Sequence, residues 1–256
     1  MAASQNGHVE VVDKLLQHGA TVDLQDKNGW SSLMAASQNG HVEVEGHVEV
    51  VDQLLQHGAT VDLQRSDGWS SLMAASDNGH VGVVDKLIQH GATVDLHDKD
   101  GVSSLMVASE YGPVEVVDQL LQHGATVDLQ RSNTGYTALM FACKGGHLDT
   151  VKVLMEHGAD PLIRSLAGVT ALGVASTNEF PDVCNELNQP DRTTDVEYPE
   201  TSTEKEEVVE GKKVPKGDYK RYLKIRALRA TLWRTGKRKV KRKVKAAIET
   251  LYSNLN

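Results

Sequence analysis

One heptapeptide recurs along this chain at nearly fixed spacing. His-Gly-Ala-Thr-Val-Asp-Leu begins at His18, His57, His90 and His123, and the variant His-Gly-Ala-Asp-Pro-Leu-Ile begins at His157, in steps of 39, 33, 33 and 34 residues. A second marker, the residue after a turn glycine, keeps the same pace at Trp30, Trp69, Val102, Tyr136 and Val169. A period near 33 argues against one central core. It calls for stacked supersecondary units, each too small to bury its apolar face alone and stable only against its neighbours.

The period resolves into turn, short helix and longer helix. Asp26-Lys27-Asn28-Gly29 has turn composition. Ser31 stands where an N-cap hydroxyl belongs. Leu33, Ala35 and Ala36 then begin a helix of small side chains, and Gly40 is expected to end it with a positive φ. In the following HVEVVDQLLQH, Val48, Val51, Leu54 and Leu55 fall on one helical face, and Gly58 closes the helix.

These motifs resemble the ankyrin repeat, whose pattern runs D-x-x-G, T-P-L-H-x-A, G-H-x-E-V-V, L-L and G-A. The likeness covers about residues 1–180. The family's Thr-Pro becomes Ser-Ser or Thr-Ala, so the capping hydroxyl survives. Its His becomes Met34, Met73, Met106, Met140 and Gly173. The resemblance implies an all-α solenoid of about five stacked helix pairs. It also implies a non-catalytic, monomeric scaffold that holds a protein partner in a concave groove of turn tips and first helices. Carried onto this chain, the groove positions are Lys27, Asn28, Trp30, Asp67, Trp69, Lys99, Asp100, Tyr111 and Tyr136. Near them, Gln38, Asp77, Glu110 and Lys144 vary from unit to unit at the first-helix ends.

Three irregularities set the domain boundaries. Met1 aligns with Met34, so the first unit lacks its turn and most of its first helix. Gly40–Glu45 is repeated as Gly46–Val51, a duplication within 40–51 that reads as a bulged loop between helices. No G-H-x-E-V-V follows Asn178, so the last unit reads as incomplete and the repeat domain as residues 1–181. Residues 182–211 are rich in acids, Thr, Ser and Pro and read as a disordered linker. Residues 212–256 read as a basic amphipathic helical tail.

Charge is segregated along the chain. Lys212–Ala247 holds 16 Lys and Arg against one acid, Asp218, which leaves the rest strongly acidic in a chain of net charge −8. Within it Lys237, Arg238, Lys239, Lys241, Arg242 and Lys243 form a run suited to nucleic acid, an anionic membrane surface or nuclear import. With two cysteines, no C-x-x-C and no secretory leader pattern at residues 1–12, the expected compartment is the cytoplasm or nucleus.

Chemistry-bearing patterns are weak. Ten of the eleven histidines recur once per unit at two positions, which marks them as structural, within-unit hydrogen-bonding residues rather than zinc ligands. Cys143 and His147 have the spacing of a nucleophilic pair, but position 143 is a small-residue packing slot. There is no G-x-S-x-G and no phosphate-binding glycine loop. The sequence reading is therefore of no enzyme, no metal and no cofactor.

Overall fold

A computed structural model describes residues 1–40 and 45–188, and the backbone of two short strands at 207–209 and 212–214. The chain divides into two units, Met1–Leu187 and Asn188–Asn256.

The first unit holds six helix pairs among its described residues. They are α1 (Ala2–Gln5) with α2 (Val9–Gln17), α3 (Ser32–Gln38) with α4 (Glu45–Gln56), α5 (Ser71–Asp77) with α6 (Val81–Gln89), α7 (Ser104–Tyr111) with α8 (Val114–Gln122), α9 (Ala138–Gly145) with α10 (Leu148–Glu156), and α11 (Ala171–Thr177) with α12 (Pro181–Leu187). First helices stack on first helices and second helices on second helices, giving two parallel layers. The count is six pairs rather than about five, because α12 completes the last unit. The sequence hides it: Glu179-Phe180 replaces Gly-His, yet Glu179 still takes the positive φ, 61°, that Gly79 and Gly146 take at the same place. The boundary at 181/182 therefore falls inside α12.

Five of the six first helices, all but α1, start on a hydroxyl. Ser31, Ser70, Ser103, Thr137 and Thr170 accept the N–H three residues on, at 3.2 to 3.4 Å. Such a cap contributes about 1 kcal/mol. The methionines that follow, Met34, Met73, Met106 and Met140, are fully buried. Gly40 does not take a positive φ, and Asn39 caps α3 instead. Glycine is needed at 40 for space, since a Cβ there would sit 2.5 Å from a Val83 methyl. The duplication does more than bulge a loop. α4 has 12 residues where α6, α8 and α10 have nine, so part of the insertion lengthens the helix. Residues 41–44 lie outside the described residues.

Stacking supplies the core. Val50, Val83, Val116 and Thr150 occupy one register position of the second helices, and Leu54, Leu87, Leu120 and Leu154 another; all are at most 2% exposed. In α2 the same positions are Val11 and Leu15, 49% and 50% exposed. Residue type and register are shared, so the difference is the presence of a neighbour on both sides.

Hydrogen bonds stitch successive units. Thr60 donates its N–H and hydroxyl to Asp23, at 3.0 and 2.6 Å, and Thr93 and Thr126 repeat this on Asp62 and Asp95. This gives the T-V-D of the heptapeptide its physical meaning. His47, His80 and His147 donate through Nε2 to the carbonyls of Gln5, Gln38 and Glu110 in the preceding unit, at 2.9 to 3.0 Å. These histidines are structural, but they act between units and not within them. In the second set, His18, His57, His90, His123 and His157, each Nδ1 meets the carbonyl four residues back, and His90 and His157 also bring Nε2 within 3.9 and 3.7 Å of Asp52 and Asp118 in the preceding unit.

In the second unit the described backbone is an antiparallel pair, β1 (Glu207–Val209) and β2 (Lys212–Val214), with Glu207 opposite Val214. The sequence reading placed linker and helical tail there. Val208, Val209 and Val214 favour extended backbone, which local charge composition did not register. The remainder of the linker and tail, including Lys237–Lys243, lies outside the described residues.

Leu87→Ala is expected to cost about 2–5 kcal/mol, the range for a fully buried leucine. Leu15→Ala, at the same register position but half exposed, should cost less than about 1 kcal/mol. Urea denaturation of both variants followed by circular dichroism measures the contrast. Equal losses would show that stacking is not the source of the core.

Candidate functional site

Part of the variable set meets in a cleft of about 520 Å³, lined by Trp30, Gln38, Arg65, Asp67, Trp69, Ala74, Asp77, Asp98, Lys99 and Asp100. Gln38, Ala74 and Asp77 come from α3 and α5; the rest come from three successive turn tips. Each tip is closed by its own backbone, as Asp26 N–H donates to the Trp30 carbonyl and Arg65 N–H to the Trp69 carbonyl, both at 2.9 Å. Neighbouring tips are joined too: Lys99 N–H donates to the Asp67 carbonyl at 3.0 Å. A Cβ at Gly68 would sit 2.7 Å from the Asp98 backbone, so this approach of tip to tip requires glycine.

The side chains are partly committed to one another. Arg65 lies over the Trp30 ring, its guanidinium carbon 4.8 Å from the centroid, and also pairs with Asp67. A partly exposed contact of the first kind contributes about 0.5–1 kcal/mol. Arg65 and the Trp69 N–H together hold the Asp67 carboxyl below its usual value, Arg65 foremost. Asp98 Oδ1 accepts the N–H groups of Asp100 and Val102, at 2.9 and 2.8 Å. Asp100 receives Arg131 at 3.2 Å.

Asp77 differs from these. Among the described residues its carboxylate has neither a hydrogen bond nor an ion pair. Burial pushes its carboxyl up, and the nearby charge of Glu110 adds to the shift. Glu110 itself pairs with Lys144 at 2.7 Å.

Five of the nine sequence-derived groove residues therefore meet in the cleft: Trp30, Asp67, Trp69, Lys99 and Asp100. Lys27 and Asn28 are exposed on the first tip but do not line it, and Tyr111 stands apart at 62% exposure on α7. Tyr136 is half buried, packed on the core and edge-on to Phe141 with centroids 5.6 Å apart. It is a packing residue because Phe141 gives it a ring to cover. Arg65 and Asp98 were not singled out in the sequence. The signal was available at 65, where Arg interrupts the Asp that opens the turns at Asp26 and Asp98.

Cys143 and His147 do not form a reactive pair. Cys143 is fully buried, its thiol pushed up to about 12 by burial and then by Cys184, and His147 is engaged with the Glu110 carbonyl. Among the described residues no group of three or more His, Cys, Asp or Glu side chains is placed to hold a metal ion, and no helix is long and apolar enough to cross a membrane.

Two family models match the chain. One described as ankyrin repeats in three copies matches residues 42–131 and 105–197, and one described as ankyrin repeats in many copies matches residues 1–44. No curated protein matches it.

Because the folded aspartate has a raised pKa, it binds protons more readily than its unfolded counterpart. Its contribution to stability is fullest at low pH and is lost as pH climbs from the ordinary carboxyl value of 3.8 through the raised one. Asp77→Asn is therefore expected to raise Tm at pH 7, and the gain should shrink as pH falls towards 4. Thermal melts at the two pH values test the sign. A lowered Tm at pH 7 would show an attractive partner for the carboxylate.

Proposed function

The chain belongs to the ankyrin repeat family, and from that premise we propose that it is a non-catalytic scaffold that seats a protein partner in the cleft between Trp30 and Trp69. Repeats of this family are generally protein–protein interaction modules without catalytic activity, which carries the coarser statement. The finer one rests on a single observation. The cleft is lined from the turn tips and first helices, where the units diverge most in sequence. Positions that only maintain a stack stay alike from unit to unit; divergence confined to one face fits a surface shaped for something outside the stack. Tryptophan is also prominent among the anchors that dominate binding energy.

The test is affinity capture on the immobilised full chain, followed by titration of what is retained. Trp30→Ala and Trp69→Ala should each weaken binding by more than about 1 kcal/mol while remaining folded. Glu115→Ala, an exposed change on α8 away from the cleft, should leave binding intact. Unchanged binding with reduced stability in the tryptophan variants would mark the indoles as packing residues.

A second reading has its own observation, the 16 basic residues against one acid in Lys212–Ala247. In that reading the tail docks the protein to nucleic acid or an anionic membrane. Binding of the full chain to polyuridylate or phosphatidylserine vesicles should then fall steeply with salt, as released counterions require. Changing Lys237, Arg238, Lys239, Lys241, Arg242 and Lys243 to Gln should abolish it. If that variant binds as before, the charge run is a solvated surface. We place the protein in the cytoplasm or nucleus, as a monomer; imaging of the tagged chain and light scattering test the two statements.

A further inference from the structure

The two indoles of the cleft stand one unit apart in the same register, yet the residues that open the tips after them are opposite in charge. Trp30 is covered by Arg65, the residue that opens the next turn tip. The residue that opens the tip after Trp69 is Asp98. The solenoid thus supplies its own guanidinium to the first indole, whereas the residue in the same register after the second is a carboxylate turned onto its own tip. Among the described residues no cation lies on the Trp69 ring.

We propose that the cleft receives one arginine or lysine side chain from an extended segment of the partner, its cation drawn to Asp77 and laid against the indole of Trp69. This rests on the reading of the cleft as the partner-binding surface and names the chemistry it selects.

Charge complementarity carries the choice of occupant. The lining holds four carboxylates, Asp67, Asp77, Asp98 and Asp100, against two cations, Arg65 and Lys99. Asp67 is paired with Arg65 and Asp100 with Arg131, and Asp98 is engaged with backbone N–H groups. Asp77 is left without a counter-charge among the described residues, and Glu110 adds negative potential beside it. An acidic side chain entering here would find one cation without a printed ion pair, Lys99, against a lining whose carboxylates outnumber its cations four to two. An apolar one would further desolvate Asp77 without pairing it, which is unfavourable. A cation satisfies Asp77 and gains from the negative face of an indole, as Arg65 already does on Trp30. The volume of about 520 Å³ suits one or two long side chains rather than a folded domain.

The experiment presents a positional-scanning library of N-terminally fluorescein-labelled hexapeptide amides to the full chain in solution, with binding read by fluorescence anisotropy. Pools fixed as Arg or Lys at one position should bind at least about tenfold more tightly than pools fixed as Glu, Ala or Leu. Asp77→Asn should remove that preference, Asp77→Glu should keep it, and Trp69→Phe should retain more binding than Trp69→Ala. Asp77→Asn is also the variant expected to melt higher at pH 7, so lost binding cannot be charged to lost folding. Parallel runs use full chain in which the six basic residues of 237–243 are Gln, which lowers any competition by the protein's own cations. Peptides that bind through Trp30 and Trp69 with no basic preference, in both forms of the chain, overturn the cation site and leave the scaffold reading standing. Binding that is indifferent to both tryptophans overturns the two together.

Discussion

Contact between successive units is the constraint from which the rest of this structure follows. A pair of helices of seven to nine residues has no interior of its own. Leu87 and its equivalents are buried because a second helix lies on either side, and Leu15, with a neighbour on one side, is half exposed. The energetics are those of a one-dimensional array, in which stability is a sum of unit and interface terms. The polar stitches serve the same contact. The Thr–Asp pairs and the histidine–carbonyl bonds satisfy groups that the close approach of units would otherwise desolvate.

That rigidity along the stack leaves the turn tips chemically free. Their backbone is fixed by bonds within and between tips, so their side chains can change without altering the fold. This is where Arg65 stands for Asp, Trp69 for Val and Asp98 for Arg in successive units. Asp77 follows the same logic at a first-helix end. Its corresponding residues are Gln38 and Glu110, of which the first is neutral and the second ion-paired with Lys144. A carboxylate held above its normal pKa without a partner is a feature that stacking does not require.

Much of this was legible in the sequence. The period, the hydroxyl caps and the apolar face of the second helices depend on residues near in sequence, and local chemistry reports them. Trp30 and Trp69 were visible as departures from strict repetition. What escaped depends on the neighbouring unit. No local pattern tells that His80 reaches the Gln38 carbonyl, that Tyr136 is covered edge-on by Phe141, or that Gly40 is glycine to make room for Val83. The last helix escaped for a different reason. Its marker glycine had become Glu179, which adopts the same left-handed backbone at a conformational cost that the surrounding stack sustains.

The stitches also have a consequence for length. The middle units carry both halves of a bonding set: Asp62 and Asp95 receive the next threonine, Thr60 and Thr93 reach the previous aspartate, and the tips at 98–102 and 131–136 both give and accept a backbone N–H. Adding or deleting a whole unit of about 33 residues in the interior therefore closes every such bond again, whereas a partial insertion cannot. The number of units is in that sense a free variable of this architecture, and growth by tandem copying of whole units is the change it accommodates with least disturbance.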